Sequence, residues 1–119
     1  MLRNGKTEDG RIILSETMWY LMHQTRVSFS NNTFRINDEP FCGYGWNLVG
    51  RVMENVGKAQ YTTSLGEFGW SGAAATYFWV DPVLDVTGCV MTQYIGREVP
   101  IDGMMQTAAM RMLDHKLKT

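Results

Sequence analysis

Cysteine, histidine and runs of like charge are what this sequence has least of, and each scarcity removes a class of function. The two cysteines, Cys42 and Cys89, stand far apart with no His or second Cys at metal-ligand spacing. A zinc site and a disulfide framework are therefore not expected, and both residues read as ordinary buried or half-buried thiols. Eleven Lys and Arg stand against twelve Asp and Glu, for a net charge of -1. The basic residues fall singly, at Arg3, Lys6, Arg11, Arg26, Arg35, Arg51, Lys58 and Arg97, with one small cluster at the C-terminus. That spacing lacks the basic footprint of a nucleic-acid binder. No apolar stretch approaches the roughly 20 residues that cross a bilayer, and the opening MLRNGKTEDG has no apolar core of the kind a secretory signal requires. Internal repeats and low-complexity segments are missing too. The expectation is a chain with no nucleic-acid partner, no membrane partner, no metal and no cofactor; its compartment is left open.

What is present suits one domain, residues 1–119, long enough to bury about two-thirds of the surface its unfolded form exposes. Nine methionines, several at helical spacing, read as core filler. Asn4 to Arg11 is rich in turn formers and reads as a loop. Ser15 is a candidate N-cap, with Glu16 and Thr17 in the first turn and Met18, Leu21 and Met22 at i, i+3, i+4, so a short helix is predicted over Glu16 to His23. His23 then sits at a helix C-terminus as a surface residue. Ser28 to Gly43 reads as a long surface connection broken by Asn-Asn and Glu-Pro. Tyr44 to Met53 reads as one strand with Tyr44, Trp46 and Leu48 on its buried face, and Glu54 to Gln60 turns it.

Three strand-like segments follow, through Glu67 to Gly69, ATYFWVD and DVTGCVMTQ. Asp81-Pro82-Val83-Leu84-Asp85 makes a hairpin between the last two, with the acids as turn residues. Apolar residues of both parities in TYFWV predict cover on both faces, and Tyr77, Phe78 and Trp79 read as core. The tail from Pro100 to Lys118 reads as an amphipathic helix. Its core stripe is Ile101, Met105, Ala108, Met112 and the stem of Lys116, broadened by Met104, Leu113 and Leu117, and His115 faces solvent. The fold class is α+β: an antiparallel sheet of three or more strands packed with a short helix and a long C-terminal one.

GEFGWSGAAATYFWVDPVLDVTGCVMTQ, Gly66 to Gln93, resembles the C-terminal part of the serine β-lactamase-like hydrolases, the class C β-lactamase-related esterases and penicillin-binding-protein homologues. MLRNGKTEDGRIILSETMWYLM and GYGWNL resemble flanking parts of the family more loosely. The resemblance implies acyl-ester or β-lactam hydrolysis through an acyl-enzyme on a partial β-lactamase/transpeptidase-like fold, in a family often periplasmic or secreted. It places Trp70-Ser71-Gly72 at the family's third motif, Lys-Thr-Gly or a variant, and gives Ala73 the backbone N–H of half an oxyanion hole. A glycine beside an unpaired strand N–H suits close approach of a substrate. Tryptophan in place of lysine removes a cation and favours neutral esters or amides.

The family's Ser-x-x-Lys nucleophile motif is not found. Ser15, Ser28, Ser30, Ser64 and Ser71 are followed three places on by Met18, Asn31, Thr33, Glu67 and Ala74. Tyr-x-Asn is missing as well, and acyl transfer needs an activated hydroxyl beside its base. No residue of this chain is therefore expected to be catalytic by itself. Two readings follow. In one, the chain is the C-terminal fragment of a serine hydrolase, acting on a small ester or amide once the missing segment complements it. In the other, it is a free-standing, non-catalytic α+β module that binds a small ligand or protein. In either, an apolar face around Trp70 left open predicts a homo-oligomer.

Overall fold

Element by element, the described residues build an α+β structure of two α-helices and two antiparallel sheets, one of five strands and one of two, in a computed structural model. It describes residues 4–36, 38–96 and 101–117, with side chains in the last helix from Gly103 to Asp114. Helix α1 is Glu16–His23, and the Ser15 hydroxyl accepts the Met18 N–H, as its position before the apolar periodicity predicts. Strands β1 (Thr33–Ile36) and β2 (Glu39–Cys42) form the small sheet. The large sheet runs β3 (Tyr44–Trp46), β4 (Arg51–Met53), β5 (Phe68–Ser71), β6 (Tyr77–Asp81) and β7 (Val86–Val90) in spatial as well as sequence order. Helix α2 is Ile101–Leu117.

Several expectations need correction. Ser28 to Gly43 is no surface connection: it holds the β1–β2 hairpin, and Phe34 and Phe41 stack at 4.8 Å with both rings buried. The turn formers that suggested a loop do not break the hairpin: Asn31 and Asn32 sit in a short 3-10 turn before β1, Glu39 and Pro40 pair with Ile36 and Arg35 as the first residues of β2, and Phe34 and Phe41 pair across the ladder and face the core. Tyr44 to Met53 is two strands. Asn47 Oδ1 accepts the N–H groups of Val49 and Gly50 at 2.8 Å each, and Asn47 N donates to Gly50 O at 2.9 Å. An Asx turn closed by glycine thus folds the segment back, which leaves Leu48 exposed. Cys89 is exposed and Cys42 half-buried, and both are free.

The β6–β7 hairpin is built as expected: Asp81 Oδ1 accepts the Val83 and Leu84 N–H groups, each at 3.0 Å. Ladder register then assigns the faces. Arg51, Gly69, Trp79 and Gly88 lie in one row across the sheet, and Val52, Phe68, Val80 and Thr87 lie in a row on the other side. His23 of α1 packs on Phe68 at 4.3 Å between ring centroids, whereas Gln106 of α2 accepts a hydrogen bond from Tyr77 on the Arg51 side. The two helices therefore cover opposite faces, the double cover that the aromatic run Tyr77–Phe78–Trp79 called for.

Neither helix buries the stripe its apolar spacing suggested. In α1, Met18 is exposed, and the contacts come from Trp19 and His23. His23 is accordingly half-buried between the Trp19 and Phe68 rings, its Nδ1 donating to Trp19 O at 2.6 Å, and not a surface residue. In α2, Gln106 and Met110 are buried while Met104, Met105, Ala108 and Met112 are exposed. One buried hydrogen bond, from Tyr77 to Gln106, sets that rotation: turning the helix to bury methionines would strand both groups. The side chains of Ile101, His115, Lys116 and Leu117 lie outside the described residues, as do Arg3, Arg97 and Pro100.

Candidate functional site

Trp70 and Ser71 end β5, and Gly72 and Ala73 open the turn that leads into β6. Strand β5 is the middle of five, yet its pairing with β4 stops at Arg51–Gly69. Beyond that pair Gly50 packs closely against Gly69 and Trp70, and Trp70 and Ser71 keep ladder partners only on the β6 side, Phe78 and Tyr77. Gly72 N donates to Thr76 O at 2.7 Å and Ala75 N to Gly72 O at 3.1 Å, with Ala75 at φ 55°. A Cβ on Gly72 would meet Thr76 Oγ1, so glycine here leaves that side chain its place.

Aromatic rings fix the motif from beneath. Trp70 packs edge-on against Trp46 with centroids at 4.7 Å and parallel to Phe41 at 5.8 Å. It is half-buried as a result, so the exposed apolar surface expected around it is found elsewhere, on Met104, Met105 and Met112 of α2 and on Met91 and Ile95 after β7. The Ser71 hydroxyl is buried and has no hydrogen-bond partner among the described residues. Among the described residues no base stands beside it: His23 packs on Phe68 at the other end of β5.

Directly behind the motif lies a polar cluster that composition does not reveal. Arg51 is wholly buried, its guanidinium carbon 4.8 Å from the ring centres of both Tyr44 and Tyr77 and 5.9 Å from that of Phe41. It donates to the Tyr77 hydroxyl, which donates in turn to Gln106 Oε1 at 2.7 Å. Tyr44 donates to Glu67 Oε2 at 2.7 Å, so its contact with the Tyr61 hydroxyl at 2.8 Å must have Tyr61 as donor. Thr63 adds a second donor to Glu67 at 3.1 Å. Burial pushes the Tyr44, Tyr61 and Tyr77 hydroxyls well above the ordinary tyrosine range against the pull of Arg51, so all three stay protonated donors. Burial works against the Arg51 charge, the tyrosines and Glu67 work for it, and the balance holds the guanidinium protonated. The sequence offered one clue: Arg51 and Glu67 stand next to Val52 and Phe68 within strand-like segments, where a charge must find partners or stay outside.

Glu67 carries a testable consequence. Burial raises its pKa, and the Arg51 charge and the donors Tyr44 and Thr63 only partly oppose that. A carboxyl whose folded pKa lies above its unfolded value is stabilising while protonated, and that contribution is lost as pH rises through the folded value. Urea unfolding followed from pH 4 upward is expected to show stability falling across that interval. Glu67→Gln, which keeps an oxygen for Tyr44 and Thr63, should flatten the slope; an unchanged slope would show that another group sets it.

No family model matches this sequence, and no curated protein matches it either. Among the described residues no group of His, Cys, Asp or Glu is arranged to hold a metal ion, and no helix is long and apolar enough to cross a membrane.

Proposed function

We propose that the chain contributes the third-motif strand of a β-lactamase-related serine acyl hydrolase, with the nucleophile and base supplied from outside this sequence. One observation carries the reading: a buried Ser71 hydroxyl without a hydrogen-bond partner among the described residues stands beside Trp70 where the β4 ladder has stopped. An unspent donor at the end of a ladder suits the carbonyl or acyl oxygen of a substrate, and costs stability if nothing binds it. Trp70 offers that substrate an apolar wall and no charge, which favours neutral esters and amides. Ala73 is exposed at the start of the turn, where its N–H would serve as one oxyanion donor. Without an activated hydroxyl the chain alone turns nothing over.

Indole N–H resonances test this, because each tryptophan reports its own surroundings. Methyl butyrate is expected to shift the Trp70 signal saturably, and Ser71→Ala to weaken that effect several-fold, with p-nitrophenyl butyrate hydrolysed no faster than in buffer. A Trp70 signal indifferent to the ester removes the reading. Turnover that disappears in Ser71→Ala would make the chain itself the enzyme.

A second reading, the self-associating non-catalytic module, is favoured by the exposed Met104, Met105 and Met112 on α2 together with β7 at the sheet edge. An edge strand beside apolar surface invites pairing. Light scattering on a size-exclusion column separates the readings: a discrete dimer or tetramer supports the module, and a monomer counts against it.

A further inference from the structure

At the end of the β5–β6 ladder away from Ser71, the register brings two buried acids together. Phe68 pairs with Val80, and Met53 N donates to Glu67 O at 2.8 Å, which turns the Glu67 backbone groups toward β4. Backbone groups alternate sides along a strand, so Phe68 bonds to Val80 and Glu67 stands opposite Asp81 at the next position, with no backbone bond between the two. In pairs of that kind the side chains approach most closely, with Cβ atoms roughly 4.5–5.5 Å apart. Both side chains lie on the Arg51 side of the sheet, and both residues are wholly buried.

Each acid has one oxygen committed and one not. Glu67 Oε2 accepts from the Tyr44 and Thr63 hydroxyls, and Asp81 Oδ1 accepts from the Val83 and Leu84 N–H groups. Glu67 Oε1 and Asp81 Oδ2 have no hydrogen-bond partner among the described residues. The titratable groups acting on Glu67 are Arg51 from β4, Tyr44 from β3, Tyr61 from the β4–β5 connection, and Tyr77 and Asp81 from β6. Strand β7 sets the apolar Val86 opposite Asp81, and α2 reaches the cluster with the uncharged Gln106. Lys6, Glu8, His23 and Asp85 border a recess walled by Phe68 and Val80, whose side chains point to the opposite face. Among the described residues, then, one cation, Arg51, stands in this interior against two acids and three neutral tyrosines. Ionising both acids would leave an unbalanced buried charge and two like charges side by side; one retained proton removes both costs.

We infer that Glu67 and Asp81 hold one proton between them and form a pH-operated latch on this end of the sheet. While the proton is held, β5 and β6 close on each other; its release to solvent sets two carboxylates against each other across the ladder. The repulsion falls on the adjacent Phe68–Val80 pair and on the β6–β7 turn, whose N–H groups Asp81 holds. The direction of opening is toward high pH. Burial above all raises the Glu67 pKa, and the Asp81 charge adds to it. A carboxyl raised in the folded state stabilises while protonated and loses that contribution as pH climbs through its folded value.

Side-chain carboxyl carbon signals of the full chain, followed from pH 4 upward, read the proton. Two acids that share one are expected to respond together at both of two steps, since the steps belong to the pair. Asp81→Asn keeps an oxygen for the Val83 and Leu84 N–H groups and removes the charge; there the Glu67 signal should titrate in a single step at lower pH. Amide exchange reads the latch. Corrected for the intrinsic pH dependence of exchange, protection at Phe68 and Val80 should fall about tenfold or more as the last proton leaves, the factor that one pK unit of coupling corresponds to. Trp70 and Phe78, at the far end of the same ladder, should keep theirs, and Glu67→Gln should hold protection constant at all four. Carboxyl signals that titrate independently, in one step each, overturn the proposal. So does a Glu67 titration unmoved in Asp81→Asn, or protection at Phe68 and Val80 that is indifferent to pH. Should either variant fail to fold, the carboxyl and exchange profiles of the unaltered chain decide.

Discussion

Arg51→Ala is expected to lower the unfolding free energy by about 3–5 kcal/mol, the range seen when one member of a buried charged set is removed. The substitution takes a guanidinium from between the Tyr44 and Tyr77 rings and leaves the buried Glu67 without its positive neighbour. It also removes the donor to the Tyr77 hydroxyl, which alone then holds Gln106 and with it α2. A domain of this size has only about 5–15 kcal/mol to lose, so part of the Ala variant should be unfolded without denaturant. Arg51→Lys keeps the charge but not the flat surface between two rings, and an intermediate loss is expected. Urea unfolding followed by circular dichroism measures both; a loss under about 1 kcal/mol for Arg51→Ala would mean the cluster is not what holds the sheet to α2.

Trp79→Ala is the other large effect, about 3–5 kcal/mol for emptying a buried indole from a well-packed site. The Trp79 ring stacks on Tyr77 at 5.3 Å and lies across Gly88 of the neighbouring strand, where a Cβ would run into it. Gly88→Ala alone is expected to cost about 1–3 kcal/mol through overpacking. Because both changes act on the same ring, they should not add: in a Trp79→Leu background Gly88→Ala should cost much less, an interaction of 0.5 kcal/mol or more by the usual range for touching residues. Four denaturation curves complete the cycle, and strict additivity would refute the packing of this ring over the glycine.

Gly88 and Gly69 show how far local sequence can be read. A glycine inside a strand pattern announces close approach, but only the register places Arg51, Gly69, Trp79 and Gly88 in one row and identifies what approaches. Helix α1 was legible to the residue, since the Ser15 cap and the acidic first turn are local effects. The β6–β7 hairpin was legible for the same reason, its Asp81 bonding N–H groups two and three places on. The β1–β2 hairpin was not, because the turn signals around it outvoted Phe34 and Phe41, whose worth as strand residues comes from each other. The β3–β4 split was missed because alternation in Tyr44, Trp46 and Leu48 is equally good for one long strand; the Asn47 side chain decided it.

Of the candidate site, Trp70, Ser71, Gly72 and Ala73 could be named from their order in the chain. That they lie past the end of the β4 ladder could not, since it depends on a strand 20 residues away in sequence.

By itself the sequence determined what short-range chemistry determines: the α1 cap, the hairpin turn at Asp81, the strand character of Tyr77 to Asp81, the α+β class, and the lack of a Ser-x-x-Lys pair. Tertiary structure decided which face each element shows. Periodicity measures apolar content, not the worth of a particular contact, so it favoured methionines on α2. The fold instead buried Gln106, because the Tyr77 hydroxyl, which accepts from Arg51, needed an acceptor for its own proton in the interior.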